Sequence, residues 1–376
     1  MLTVDYLIVG SGLTGAVIAR ALVDAGRQVL VVDRRSHQGG NVHDHAHPSG
    51  IRIHTYGPHY FRTSSDRIWE FVNRFTAFYR YEASLLSEVE GELAQWPIAG
   101  SYIRKLVGER WEPEFKGKPA NFEEAALSLM PRRIYELFIQ EYNEKQWGVP
   151  SHALAARLCT RFDVRHDDEP RLKPDCKHQG IPENGYAAFM ANLLRGIPVL
   201  LNFDYLKHRD QLNARKLLVF TGPIDEYFGF DLGRLHYRGQ RRTHEYLPDV
   251  GFAQPCGQVN NPTHAGGPHI RTLEWKHMMR RDYAERIRGT VLTREVTYSP
   301  EDPSAYEYPF PDDANQALYQ RYRARADAQP GLLLCGRLGE YRYFDMDQAI
   351  ARAMVLAERV LAGQPLVGNV EAMPAV

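Results

Sequence analysis

The sequence predicts an α/β chain in which a parallel sheet is interrupted by a helical insertion and by an antiparallel layer. Three observations carry this. The chain opens on a strand, a glycine-rich turn and a helix; its middle reads first with helical periodicity and then with strand alternation; its last part returns to a buried strand followed by a helix. At 376 residues it exceeds one simple core and suits two or three domains.

The opening is the most informative stretch. Residues 4–9, VDYLIV, form a short branched apolar run that feeds through Gly10, Ser11, Gly12, Leu13, Thr14 and Gly15 into AVIARALVDAG. A second apolar run, 28–32, ends at Asp33, 18 positions after Gly15. Strand, GxGxxG, helix, strand and acid in this order form the dinucleotide fingerprint. Gly10 permits the tight turn, Gly12 lets backbone approach a pyrophosphate, and Gly15 allows helix to pack closely on strand. The first N–H groups of the helix, near Leu13 and Thr14, face the phosphates, and Asp33 suits ribose hydroxyls.

Residues 65–155 carry patterns such as DRIWEFVNRF and EEAALSLMPRRIYELFIQEY, with apolar residues recurring at three and four, and predict an inserted helical domain. Residues 197–205 and 216–221 read as strands returning to the first sheet. Alternation between about 235 and 300, as in GTVLTREVTYS, predicts an antiparallel layer. Near the end, GLLLCG at 331–336 is a buried strand, followed by a helix that Asp347 is placed to cap. The expected organisation is a discontinuous nucleotide-binding domain from 1–64, 190–232 and 330–365. A helical domain spans 65–160, and a lid and antiparallel-sheet substrate domain takes 161–189 and 233–329. The tail beyond Gly363, with its Pro and Gly, reads as frayed.

Composition narrows the function. Lysine plus arginine equals aspartate plus glutamate at 46 each, with arginines scattered, so neither nucleic acid nor an acidic membrane is an expected partner. No apolar stretch approaches the ~18 residues of a membrane span and no leader pattern precedes the first strand, so a cytoplasmic protein is expected. Cys159, Cys176, Cys256 and Cys335 stand far apart and read as inert thiols. His43, His45 and His47 alternate, but Pro48-Ser49-Gly50 follows, so a solvated hairpin arm is expected there and no metal site.

The fingerprint alone does not separate FAD from NAD. Arg34 or Arg35 followed by Gly39, Gly40 and Asn41 looks like the second dinucleotide element of FAD enzymes with the glutathione-reductase type of fold. Gly336-Arg337 ahead of a final helix fits the same pattern, the helix dipole favouring an anionic reduced flavin. VGSGLTGAVIA, DRRSHQGGN, YGPHYFRT, YNEKQWG, TGPIDEYF and GRLGEYRYFDM resemble the signature segments of the UDP-galactopyranose mutase family in sequence, order and spacing, over nearly the whole chain.

That resemblance implies an FAD-dependent isomerase that interconverts pyranose and furanose forms of a nucleotide-diphosphate sugar. In the family, reduced flavin attacks the anomeric carbon through N5, and ring opening and reclosure proceed on a flavin–sugar adduct. It further implies cofactor contacts from Tyr56, Gly57, His59, Thr221, Gly222, Arg337, Asp345 and Met346. Arg165 and Arg271 are implied as the diphosphate arginines, suited by a planar fork that bonds phosphate bidentately; acidic Asp163 and Asp167 flank Arg165. Tyr308 and Tyr343 match phenols that donate to the diphosphate, Asp345 a carboxylate near the sugar, and Trp147 a wall of the sugar site. Phe138 and Tyr142, at i, i+4 spacing, would face one nucleobase. A homodimer is common among similar enzymes.

The match departs at three places. Arg62 stands where the family has a histidine beside the sugar, His178 where a lid tyrosine is usual, and Gln95 where an asparagine is usual. These leave UDP-galactopyranose as the first expected substrate, with an N-acetylated or 6-deoxy sugar open. The segment from Arg165 to Ile181, charged and Pro-interrupted, reads as a lid. An oxidoreductase of amine-oxidase type and a non-catalytic nucleotide-sugar binder are the competing readings.

Overall fold

In a computed structural model of the chain, residues 1–161 and 164–366 are described. The parallel sheet runs in the order Val199–Leu200, Val29–Val32, Leu2–Val9, Leu212–Phe220, Leu332–Leu334, every neighbouring pair parallel. Leu7, Ile8, Val31 and Val32 are fully buried, as a sheet covered on both faces requires. Register places Val9 beside both Val32 and Phe220, so the strands end level, and Gly10, Asp33 and Thr221 leave the sheet together at its carboxyl edge. Helices Leu13–Asp24 and Met346–Leu361 pack on each other against this sheet, joining the two ends of the chain in one core.

Two strand expectations shift. The predicted strand 197–205 is only Val199–Leu200, because it is an edge strand and Asn202 turns left-handed at φ 56°. The other, expected at 216–221, begins earlier, at Leu212, where it pairs with Leu2.

A seven-stranded sheet runs Tyr308–Pro309, Tyr237–Leu247, Thr290–Tyr298, Arg271–Glu274, Gln258–Asn260, Leu85–Val89, Glu92–Trp96, antiparallel except between Gln258–Asn260 and Leu85–Val89. The segment expected to be mostly helical therefore contains strands. Leu85–Val89 and Glu92–Trp96 form a hairpin around Glu90 and Gly91, both at positive φ, the backbone a two-residue hairpin turn demands. Phe78–Arg80 joins Phe61–Thr63 and His178–Pro182 in a separate three-stranded sheet.

The helices of the insertion follow, with a core of their own around Phe122, Ile134, Tyr135 and Phe138. Asn121 caps the first of its last group through the N–H of Glu124 at 3.0 Å. Between Arg132–Tyr135 and Glu141–Trp147 the chain makes a π-helical turn, Glu136–Gln140. At the other end of the molecule the N-cap position of the final helix is Asp345, not Asp347: the Asp345 backbone N–H donates to the Gln348 side chain at 3.0 Å, and the Gln348 N–H donates to Asp347 at 2.8 Å. The histidine arm is a hairpin, Asp44–Ala46 with Arg52–His54, and the Nδ1 atoms of His43 and His45 both meet the Thr55 hydroxyl at 2.9 Å. No helix among the described residues is long and apolar enough to cross a membrane.

Candidate active site

The glycine turn forms a cavity at the carboxyl edge of the parallel sheet, lined by Gly10, Gly12, Leu13, Thr14, Asp33, Arg34, Gly39, Gly40, Asn41, His59, Thr221, Gly222, Arg337 and Met346, with Phe203, Tyr205, Ser304 and Phe344 unforeseen. Two glycine elements meet there. A Cβ on Gly40 would lie 2.9 Å from the Cα of Gly12, one on Gly10 would lie 2.0 Å from the Thr221 hydroxyl oxygen, and one on Gly15 would strike the Gly10 carbonyl at 2.0 Å. Gly12 caps the first helix with no side-chain bond, so backbone N–H groups are left to face a phosphate.

Asp33 also braces this turn. One carboxylate oxygen accepts from the Ser11 N–H at 2.8 Å and hydroxyl at 2.6 Å, and the other accepts from the Arg35 N–H at 2.9 Å. Arg34 forks onto Glu226 at 2.9 and 2.6 Å. Arg35 bonds the Asn41 side chain at 2.9 Å and lies over the Tyr56 ring, which places Tyr56 behind the second glycine element and off the cavity wall.

His59 is the polar atom this cavity leaves incomplete. Its backbone N–H donates to His54 Nδ1 at 3.0 Å, but the ring Nδ1 is buried without any bond. Burial, with His54 and Arg337 nearby, holds its imidazole well below the ordinary pKa, so the ring is neutral. A buried imidazole nitrogen on the wall, a double glycine cradle and an uncapped helix N-terminus together fit an extended dinucleotide cofactor.

Beside the cavity the antiparallel sheet holds a buried ion network that the sequence reading did not single out. Register pairs Glu295 with both Arg242 and Arg271. Glu295, with no exposed side-chain surface, bonds Arg242 at 2.7 Å and Arg271 on its other oxygen, and Arg242 reaches Glu307 at 2.8 and 2.9 Å. Gly57 packs onto this network: a Cβ there would lie 3.0 Å from a Glu295 oxygen. The signal for Glu295 was available, since the alternation of Thr290–Tyr298 sets it on the buried face with Val291 and Thr293.

Arg271 is fully charged, held so by Glu295 with Tyr142 and Tyr308 nearby. Burial pushes the Tyr308 phenol up to about 12, so it stays a donor. Tyr308 and Tyr343 stack at 6.2 Å, with the Arg337 guanidinium 5.6 and 5.0 Å from their rings. Arg337 in turn donates to the carbonyls of Glu307 at 3.3 Å and Phe344 at 3.0 Å. Tyr343 donates to Asp345 at 3.1 Å, and Arg62 approaches the other oxygen of Asp345 at 3.5 Å. One contiguous set thus runs from Arg271 through Tyr308, Arg337 and Tyr343 to Asp345 and Arg62.

The remaining candidates lie elsewhere. Arg165 is buried and donates to the carbonyls of Glu169, Arg171 and Leu172 at 2.6, 2.9 and 3.4 Å; Gln95 shares the Glu169 carbonyl at 3.1 Å. Asp163 lies outside the described residues, and Asp167 is exposed. His178 stacks on Trp69 at 4.9 Å and bonds Asp66 at 2.8 Å, which ties it to helix Asp66–Asn73. Phe138 is a core residue, 2% exposed, packed on Trp96 and Tyr102, while Tyr142, past the π turn, is the ring near Arg271. Trp147 meets Phe310 edge-on at 5.8 Å, one strand end away from Tyr308.

Among known proteins, the family model described as UDP-galactopyranose mutase matches residues 137–343, and one described as NAD(P)-binding Rossmann-like domain matches residues 8–75. A probable UDP-galactopyranose mutase of Klebsiella pneumoniae is 30% identical over 385 residues, covering 98% of this chain and 97% of that protein. A dTDP-fucopyranose mutase of Escherichia coli is also 30% identical, over 376 residues, covering 94% and 97%. The crystal structure of a reduced UDP-galactopyranose mutase superposes with a TM-score of 0.73 at 15% identity, covering 96% of this chain and 94% of that one. A putrescine oxidase bound to putrescine reaches 0.60 at 13% identity, covering 96% and 99%. At those identities the two superpositions speak for the fold alone.

Proposed function

The chain belongs to the UDP-galactopyranose mutase family, whose members are FAD-dependent isomerases, and on that premise we propose that it interconverts the pyranose and furanose forms of a hexose carried on a nucleoside diphosphate. The observation that supports this most directly is the partly buried, permanently charged Arg271 beside the protonated phenol of Tyr308. A leaving and returning diphosphate needs such a pair. Arg271 supplies the counter-charge and a planar fork, and its own neutralisation by Glu295 makes the cation tolerable when the site is empty.

Gly10, Gly12, Asp33, Gly39, Gly40, Thr221 and Met346 would hold reduced FAD, which would supply a nucleophilic ring nitrogen. The chain does the rest. Tyr308 and Tyr343 donate to phosphate oxygens, Tyr142 lies against the base, and Asp345 accepts from a sugar hydroxyl. Neutral His59 offers its free nitrogen to the cofactor without repelling a cationic sugar. Arg165 reaches the diphosphate by exchanging its three backbone carbonyls for phosphate oxygens, which makes the segment it sits in a lid.

UDP-galactopyranose is the first substrate to test. A dTDP-linked 6-deoxy sugar is the second reading, because the dTDP-fucopyranose mutase matches this chain at the same identity as the first relative named. Reduced holoenzyme is expected to convert at least one of these nucleotide sugars without consuming reductant, and air-oxidised enzyme to convert none. Stoichiometric consumption of reductant, or equal turnover after oxidation, would sink the proposal.

A further inference from the structure

Helix Glu141–Trp147 brings Tyr142 near Arg271, and two buried cations fasten that helix to its surroundings. Lys145 is 7% exposed and Arg238 6%, yet neither has a carboxylate within ion-pair distance among the described residues. Burial pulls the Lys145 ammonium down to about 8, opposed only by Glu141, and lowers Arg238 with nothing opposing it. Carbonyl oxygens take the place of the missing acids.

Arg238 donates to the carbonyls of Gln146 at 2.9 Å and Lys145 at 3.2 Å, two of those that a helix end leaves without a partner, where a cation also suits the dipole. Its remaining nitrogen donates to the Ser299 hydroxyl at 2.7 Å, and the Thr297 hydroxyl donates to the Lys145 carbonyl as well. The Lys145 ammonium reaches a different element. It donates to the carbonyls of Asn261 at 2.9 Å and His269 at 3.0 Å, near the two ends of the loop that joins strand Gln258–Asn260 to strand Arg271–Glu274. Asn261 closes this loop on itself through the carbonyls of Gly266 and His269, each at 3.0 Å, and the His264 N–H donates to the Glu141 carboxylate.

These bonds converge on the site. Glu295, which holds Arg271, and Thr297 alternate onto one face of strand Thr290–Tyr298, and Arg238 is the register partner of Tyr308. We propose that Lys145 is a positioning residue for the nucleotide: by tying the helix of Tyr142 to the loop that leads into Arg271, it sets the spacing between the ring that meets the base and the cation that meets the diphosphate. This rests on the isomerase reading above. A misplacement of about 1 Å can cost roughly a hundredfold in rate, so such a clamp acts without touching the ligand.

Calorimetric titration of flavin-loaded protein with UDP and with dTDP tests it, the tighter of the two serving as probe. Lys145→Met is expected to weaken the probe at least about tenfold with flavin content unchanged, and the Lys145→Met, Tyr142→Ala double variant to bind no more weakly than Tyr142→Ala alone, because the clamp acts through that ring. Thr297→Val, which loosens the same helix without altering the ammonium, should weaken the probe in part and lose that effect in the Tyr142→Ala background. In turnover, Lys145→Met should raise KM and leave kcat within about threefold. Unchanged affinity in Lys145→Met, or losses that multiply in the double variant, overturns the proposal. Should Lys145→Met fail to load flavin, Thr297→Val decides by the same two criteria. Absent turnover in unaltered holoenzyme that still binds the probe sinks the isomerase reading alone, and binding of neither nucleotide sinks both.

Discussion

Glu295 sits between two guanidinium groups with none of its side chain exposed, and this decides what substitution at Arg271 does. Removing Arg271 leaves Glu295 still paired with Arg242, so the fold and the flavin are expected to survive while the diphosphate loses its counter-charge. One charge-assisted bond is worth roughly 1.5–3 kcal/mol, so Arg271→Ala should lower kcat/KM by at least about ten- to a hundredfold. Steady-state kinetics beside bound-flavin absorbance checks this; lost flavin would assign Arg271 a structural role. Arg62 poses a different question because its guanidinium already leans on Asp345, at 3.5 Å. If Arg62 reads a substituent such as an N-acetyl carbonyl, Arg62→His shifts relative kcat/KM toward plain UDP-galactopyranose by about tenfold or more. An unchanged ratio between the two sugar nucleotides rules that reading out. The sequence made Arg271, Tyr308, Tyr343 and Arg62 visible as members of motifs. It hid Arg242 and Glu307, because a buried charge is revealed by its partner across a sheet and not by its neighbours in the chain.

At the scale of elements, the glycine turns carry the firmest expectation. Gly40 has φ 55° and no room for a Cβ against Gly12, so Gly40→Val should push the two cradles apart and abolish FAD binding, with the far-ultraviolet dichroism of the fold largely retained. Normal flavin content in that variant would contradict the cradle. Strand, turn and helix at the N-terminus were legible because local chemistry dictates them. The hairpin Leu85–Trp96 was legible too, as alternation around Glu90-Gly91, yet the helical periodicity on either side outweighed it. What could not be read locally was the π turn, which sets Phe138 into the core and turns Tyr142 toward Arg271; nothing in ELFIQ announces it. The cap at Asp345 escaped for a simpler reason. Two acids, Asp345 and Asp347, both precede the apolar run; the helix starts at Met346, so Asp345 holds the N-cap position while Asp347 accepts from the Gln348 N–H inside the first turn.

Across the whole molecule, stability should depend on pH through one buried acid. Asp225, with no exposed surface and one oxygen unbonded, has its pKa raised from 3.8 to about 6, chiefly by burial. The folded chain therefore binds this proton more tightly than the unfolded one, and the associated stability is present below about pH 4 and lost as pH rises toward 6. A shift of about two units corresponds to roughly 3 kcal/mol. Asp225→Asn should remove that slope, so the gap in Tm between variant and parent should widen in the variant's favour from pH 4 to pH 7. A gap constant with pH would show that Asp225 is not the titrating group. The doubly wound sheet and the antiparallel layer were both legible from the order of periodicities. The two separate cores, one under the parallel sheet and one in the insertion, became clear only from packing.

The pairing of the chain's first and last elements has a consequence for its manufacture. Strand Leu2–Val9 leaves the ribosome early, but its partner Leu212–Phe220 follows some two hundred residues later, and the sheet's far edge, Leu332–Leu334, later still. Helix Met346–Leu361, which packs on Leu13–Asp24, follows after that strand. A growing chain thus carries a glycine-turn strand paired on one edge only, with Val29–Val32, until Leu212–Phe220 is made, the condition in which nascent proteins lean on chaperones. Vitamin supply acts only at the end: the pocket that receives the riboflavin-derived group needs Arg337 and Met346 as well as Gly12. A chain halted after Gln329 should bind no flavin however long it is incubated with it, whereas stoichiometric binding by that fragment would show that the final strand and helix are dispensable. Cofactor loading, on this geometry, waits for strand Leu332–Leu334 and helix Met346–Leu361, and a shortage of flavin is felt by chains that carry them and not by those that lack them.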